Sequence, residues 1–460
     1  MLGRTGTLVE KLTAQLSDEI LRGQTHAGSR LISIRKAAER YGVSKNTIIE
    51  VYDRLVASGY AVSRPGAGFE VRLPRDTDRS VRPRHVAEAV DIASLLSAQL
   101  EENFEIRVGD GRPPPSWTEE SEIKRHLGFF GRDYTVGTDA YGAALGLPAL
   151  RTEIAKRLAA QQLKASEEEI LLTFGANHAL DLIVRAFLSP GDVVLVDEPG
   201  YYPLFAKLKL AQVQVLGVRR TPEGPDVEDF IAKASAERPR LFFTQSIGHN
   251  PTGSSTSMPV AHALLNAASL HNVTIVEDDP FADLAPGVPS RLVTLDQLNR
   301  VLSVGTFSKT LSASLRAGYI VGNIKQIGAL AELKMLTTVN SSGRVERLIH
   351  RLLVEGHYDR HLKRLGNRID GAAARVLQKL KHDGYEVFSG NGGGYYLYLL
   401  LPPGMSDIEI ARRGAHESIF VAPGSVFCLD KNDPAASGIR LNVAHADDVR
   451  FYNFLTKNLA

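Results

Sequence analysis

The chain has 460 residues, 43% hydrophobic and 23% charged, ordinary for a globular protein and too long for one small core. Its single cysteine, Cys428, excludes an intramolecular disulfide and fits a reducing compartment. No stretch approaches the ~20 apolar residues of a membrane helix, and the start, MLGRTGTLVEKL, lacks the apolar run of a secretory signal; a cytoplasmic protein without a membrane partner is expected. The net charge of +2 hides an asymmetry: residues 1–84 carry 15 Lys/Arg against 9 Asp/Glu, an excess of six, which leaves −4 on the rest. A basic N-terminal segment on a mildly acidic body predicts an anionic partner at that end.

Leu8, Leu12, Leu16 and Ile20 recur every four residues and predict a first helix with one apolar face. Ser33 predicts the N-cap of a second helix carrying Arg35, Lys36 and Arg40. After a turn at Tyr41–Val43, Ser44 predicts the cap of a third helix that turns Ile48, Val51 and Leu55 inward. The run YAVSRPGAGFEVRL predicts a β-hairpin wing around Pro65–Gly68. Two helices joined by a tight turn can place the second in a DNA major groove. Its first residues, Ser44, Lys45, Asn46 and Thr47, would then meet base edges or phosphates, with Arg35 and Arg64 on the backbone. By spacing alone, the segment reads either as a DNA-binding domain or as a small helical cap with surface charge.

Pro74–His85 is rich in Arg, Asp and Pro and has little to bury, so a linker is expected over 75–100, with a short helix near 86–100. Strands and helices alternate beyond it, the pattern of an α/β fold. Several strand ends carry chemistry. LLTFGANHAL places Gly175, Ala176 and Asn177 at a helix start where backbone N–H groups can approach a phosphate. Tyr201 follows VLVDEPG and could stack on a flat ring. Asn250 in IGHNPTG can bond a hydroxyl. Asp278 in VEDDPFADL ends a buried strand, where a carboxylate can hold a pyridine nitrogen protonated. In TFSKTLSASLRAGY, Lys309 can form a Schiff base, and Arg316, Thr306 and Ser308 suit a phosphate. Read singly, each motif is also an ordinary turn, cap or surface residue. His249, His262 and His271 lack ligand spacing, so no metal site is expected, and Cys428 reads as a packed residue.

Two resemblances organise these motifs. GSRLISIRKAAERYGVSKNTIIEVYDRLVASGYAVSRPGAGFEV resembles the GntR-type winged helix, with Ile32–Ser33 where that family has Pro-Ser and Lys45 where it usually has Arg. From about residue 105 to 460, the ordered run of strand-end motifs resembles the fold-type I pyridoxal-phosphate aminotransferases. That resemblance implies Lys309 as the Schiff-base lysine, Asp278 at the pyridine nitrogen and Asn250 near the 3-hydroxyl. It further implies Tyr201 on the ring, a phosphate site from Gly175, Ala176, Asn177, Thr306, Ser308 and Arg316, and, from GIRLNVA, Arg440 on a substrate carboxylate. One departure is visible: Phe281 stands where the family usually has a tyrosine that donates to the 3-hydroxyl.

The layout resembles the MocR subfamily of GntR-type regulators. It implies an α/β chain with an N-terminal winged helix-turn-helix (1–74), a linker (75–100), and a fold-type I transferase domain (101–460). The last would comprise a large mixed α/β sheet domain and a smaller C-terminal α/β domain from about 345. Implied partners are a double-stranded DNA operator, pyridoxal 5'-phosphate, an amine or amino-acid effector and a second copy in a homodimer. The other reading is a working aminotransferase, which would have no use for the first 75 residues.

Overall fold

The computed structural model describes residues 8–21, 25, 28–57, 60–64, 68–71, 104–118, 123, 141–285, 290–389 and 394–459. The expected linker and the helix near 86–100 lie outside them. The chain divides into two units, Met1–Ala87 and Glu88–Ala460.

In the first unit the four-residue repeat forms α1 (Leu8–Leu21), which buries Leu12, Leu16 and Ile20. α2 (Ile34–Tyr41) starts at Ser33, whose side chain accepts Lys36 N–H, and stops at Gly42 in the left-handed conformation. Such a side-chain cap contributes about 1 kcal/mol. α3 (Lys45–Ala57) buries Ile48, Val51, Tyr52 and Leu55 against the other two helices. β1 (Ala61–Arg64) and β2 (Gly68–Val71) pair antiparallel as the expected hairpin, Ala61 opposite Val71. Tyr52 ties it down: the hydroxyl donates to Ile32 O at 2.8 Å, and the ring meets Phe69 edge-on at 5.1 Å.

The second unit is built on an eight-stranded mixed sheet in the order β3 (Ile170–Thr173), β10 (Gly318–Val321), β9 (Val301–Thr306), β8 (Thr274–Asp278), β7 (Leu241–Thr244), β4 (Val193–Glu198), β5 (Gln214–Thr221), β6 (Gly224–Pro225). Strands β9, β8, β7, β4 and β5 run parallel, and β10 lies antiparallel between β3 and β9. β7 and β9 are buried at every position, as strands covered on both faces must be. The chain leaves β4 toward β5 on one side and leaves β7 toward β8 and β9 on the other. Diverging connections open a crevice at the C-terminal strand ends.

A second sheet, β11 (Tyr396–Leu400), β13 (Gly438–Asn442) and β12 (Ala422–Pro423), is antiparallel. It shares a core with the helices His357–His382 and Val449–Leu459. The segment before the large sheet joins it, since Ile106 bridges Ile419 and Val108 O accepts Asn442 N–H. Among the described residues no helix is long and apolar enough to cross a membrane.

Candidate functional site

The first candidate surface is the start of α3. Ser44 Oγ accepts Thr47 N–H at 3.1 Å and lies 2.9 Å from Thr47 Oγ1. Ser44 therefore caps the helix, and the hydroxyl pair keeps one proton to donate outward. Lys45 and Asn46 are exposed. Arg35 is exposed on α2 beside Glu39 at 3.4 Å. Arg64 closes β1 opposite Gly68, and its side chain lies outside the described residues. One neighbour escaped the sequence reading: Ile49, one turn beyond Lys45, is 40% exposed while Ile48 is fully buried. An exposed isoleucine beside polar groups on such a helix suits a thymine methyl.

The second candidate site fills the crevice of the large sheet. On one side, Gly175 follows β3 at φ +85° and begins the helix Ala176–Phe187. The positive φ suits glycine, and Arg316 Nη2 and Ser308 Oγ each lie 3.5 Å from where a Cβ at Gly175 would stand, so both donors face this turn. Arg316 Nη2 also donates to Phe174 O at 3.1 Å. Thr306 Oγ1 shapes the turn, donating to Ala317 O and accepting Ser308 N–H, both at 3.2 Å. Ser308 Oγ is buried with no hydrogen-bond partner among the described residues. Asn177 is exposed in the first turn of the helix.

On the other side, Asp278, Tyr201, Gln245 and His249 line one small pocket. Gln245 Nε2 donates to Asp278 Oδ2 at 2.8 Å, and Asp278 Oδ1 is buried without a partner among the described residues. Burial raises the Asp278 carboxyl to about 6, while the Gln245 donor and the Lys309 charge pull it down. Burial also pushes the Tyr201 phenol well above its usual value, so it is a protonated donor at neutral pH. In the same lining, Asp197 Oδ2 accepts from Arg220 Nη1 at 2.9 Å and Thr244 Oγ1 at 2.8 Å. His249 lies against the same oxygen at 3.4 Å, and burial holds its imidazole neutral.

Lys309, half-buried after β9, donates its ammonium to Gly111 O, which Tyr396 Oη also reaches at 2.9 Å. Arg440 is 1% exposed. It donates to Asn250 Oδ1 at 2.8 Å and to Gly109 O at 2.6 Å, and it lies between the rings of Tyr396 and Phe427 at 5.1 and 4.9 Å. Its Nε–H is buried without a partner among the described residues. Phe281 is fully buried, edge-on to Tyr395 at 5.6 Å and Tyr396 at 5.7 Å; the position is core, with no hydroxyl to offer a ligand.

The crevice thus joins an acid with one open oxygen, a lysine, and a glycine turn faced by a guanidinium and an open hydroxyl. A phosphorylated pyridine aldehyde fits these donors and acceptors. Gln245, Asp197, Arg220 and Tyr396 escaped the sequence reading. They act through hydrogen bonds that span 23 positions from Arg220 to Asp197, 33 from Gln245 to Asp278 and 285 from Tyr396 to Gly111, and no local motif marks them.

The profile of the aminotransferase class I and II family matches residues 107–456, and that of the gntR family of bacterial regulatory proteins matches residues 8–71. The chain is 31% identical to the probable rhizopine catabolism regulatory protein MocR of Rhizobium meliloti, over 78% of this chain and 73% of that one. It is 28% identical to the HTH-type transcriptional regulator TauR of Rhodobacter capsulatus, over 92% and 90%. Among solved structures, the kynurenine aminotransferase of Pyrococcus horikoshii superposes with a TM-score of 0.74 at 24% identity, over 83% of this chain and 97% of that one. That likeness shows a fold-type I architecture. The chain belongs to the aminotransferase class I and II family, and a gntR-type helix-turn-helix stands before that domain. It is an HTH-type transcriptional regulator of the MocR-type architecture.

Proposed function

We propose that this regulator holds pyridoxal phosphate in the crevice and reads an amine or amino acid through it, changing how the first unit binds DNA. The observation that carries the cofactor reading is a pair of buried atoms without a partner among the described residues, Asp278 Oδ1 at the end of β8 and Ser308 Oγ just past the end of its parallel neighbour β9. Leaving such groups unmet costs about 1–3 kcal/mol each, and a ring nitrogen and a phosphate oxygen would meet them.

When bound, the cofactor supplies an aldehyde that condenses with primary amines and a ring that accepts electrons. Asp278 would accept the ring N–H, and Tyr201 would cover the ring. Gly175, Ala176, Asn177, Thr306, Ser308 and Arg316 would hold the phosphate. Lys309 would be the protein's own amine, and Asn250 would face the ring hydroxyl. Arg440 would take an effector carboxylate through the guanidinium that now holds Asn250 and Gly109. Ser44, Lys45, Asn46 and Thr47 would enter the major groove of double-stranded DNA, with Arg35 and Arg64 on phosphates. We assign the DNA-binding domain to residues 1–74 and the smaller C-terminal domain to about 345–460, and expect a cytoplasmic homodimer.

The other reading, a working aminotransferase, is favoured by the presence together of Lys309, Asp278 and Arg440. Phe281 weighs against it, because a missing phenol removes one hydrogen bond worth roughly 0.5–1.5 kcal/mol. The test is the visible spectrum of the purified protein with pyridoxal phosphate, titrated with amino acids and amines. A lasting spectral change with one ligand supports the sensor. Repeated turnover, with a keto acid restoring the starting spectrum, supports the enzyme instead.

A further inference from the structure

Gln245 follows β7, is 6% exposed, and meets both residues assigned to the polar edge of the cofactor ring, Asp278 at its carboxyl and Asn250 at its backbone. Its backbone N–H donates to Asp197 Oδ2 at 3.1 Å, the oxygen that also pairs with Arg220. The residue is thus anchored on a buried ion pair. Its Oε1 accepts the Asn250 backbone N–H at 2.7 Å. A backbone N–H can only donate, so the orientation of the amide is settled: Nε2 faces Asp278 Oδ2, at 2.8 Å. An N–H aimed at a carboxyl stabilises its charged form. It also engages one oxygen and leaves Oδ1 open.

We propose that Gln245 is the positioning residue of the cofactor site: it keeps Asp278 a carboxylate, presents Oδ1 to the ring nitrogen, and with the same amide orders the turn that carries Asn250. The proposal rests on the cofactor reading above. The other charged or titratable groups around Asp278 come from four elements. Lys309 faces it from the turn after β9 and Tyr201 from the turn after β4. His249 is neutral in the loop after β7, and Asp197, near the end of β4, is paired to Arg220. Glu277 and Asp279, its chain neighbours, are engaged elsewhere, Glu277 by Ser246 and the Leu292 and Val293 N–H groups and Asp279 by Arg291 at 2.7 Å. Of these surroundings, burial drives the Asp278 carboxyl up and Gln245 opposes it.

The experiment measures the affinity of the full chain for pyridoxamine 5'-phosphate between pH 5 and 9, in wild type, Gln245→Met and Gln245→Glu. This form of the cofactor has no aldehyde, so Lys309 chemistry does not enter. Gln245→Met removes the donor without adding charge, so the pH below which binding is lost rises by about one unit, a loss that approaches about tenfold near pH 5, is only about twofold at pH 7 and vanishes at higher pH. Gln245→Glu sets a second acid against Asp278, and the pair retains a proton to still higher pH. The expected order of midpoints is wild type, Met, then Glu. A loss equal at every pH, or none, would overturn the proposal and leave Gln245 a packing residue. Wild-type protein that takes up no pyridoxamine phosphate would instead overturn the cofactor reading itself.

Discussion

The two units solve the problem of building a site in opposite ways. In the first, the candidate DNA-reading residues Ser44, Lys45, Asn46 and Thr47 are consecutive at the start of one helix, and a small core centred on Val51, Tyr52 and Leu55 supports them. In the second, the candidate site gathers Gly175, Tyr201, Asn250, Asp278 and Lys309 from the ends of separate strands of the large sheet, with Arg440 from the middle of β13, behind large cores that need those strands. A site on one helix depends on local structure and caps. A site at the ends of many strands depends on the whole sheet. Damage should therefore be separable in one direction: the first unit can be broken while the second keeps its chemistry.

The largest effect expected is from Lys309→Ala, which removes the only group assigned to bond the cofactor aldehyde. The visible band of the loaded protein should vanish, and so should any response of DNA binding to amines, while DNA binding itself persists. Next, Leu55→Ala should cost the first unit about 2–5 kcal/mol, the usual range for a buried leucine. That is enough to unfold so small a core. DNA binding should be lost with the cofactor spectrum unchanged; a spectrum lost in parallel would contradict the separation.

The acid dependence is intermediate. A carboxyl raised to about 6 is protonated below that value, so the form able to accept a ring N–H grows as pH climbs through 6. Wild-type affinity for pyridoxamine phosphate should accordingly fall as pH is lowered through about 6, and a flat profile over that window would remove Asp278 from its assigned role. Smaller effects belong to the exposed face of α3. Asn46→Ala should cost roughly 1–3 kcal/mol of base discrimination. Lys45→Ala should weaken binding to all sequences alike and lower the salt slope by about one. Both are read by titrating selected DNA at several salt concentrations.

How much the sequence disclosed follows the same divide. The three helices, both serine caps and the wing were legible, because a four-residue apolar repeat, Ser33, Ser44 and Pro65–Gly68 are local signals. What was missed there, Ile49, is a matter of helix phase: two adjacent isoleucines cannot both face the core, and the structure buries Ile48. In the second unit, Lys309, Arg316, Ser308 and Asp278 were legible because compact motifs carry them. Gln245 was not, since its role comes from a carboxyl 33 positions away and a turn five positions on. Nor was Tyr396, which reads as one more residue of a buried strand until its hydroxyl is seen on Gly111 O. Phe281 was flagged as a missing hydroxyl; the structure adds that Tyr395 and Tyr396 pack around it, so its place is structural.

The most direct test of the account is the affinity of the cofactor-loaded protein for its selected operator DNA, measured with and without the amine that changes its spectrum. The account predicts that the amine shifts this affinity several-fold in wild type and not at all in Lys309→Ala, which still binds DNA. A wild-type affinity that stays constant while the spectrum changes would contradict it, and would leave the two units as neighbours in one chain with no coupling between them.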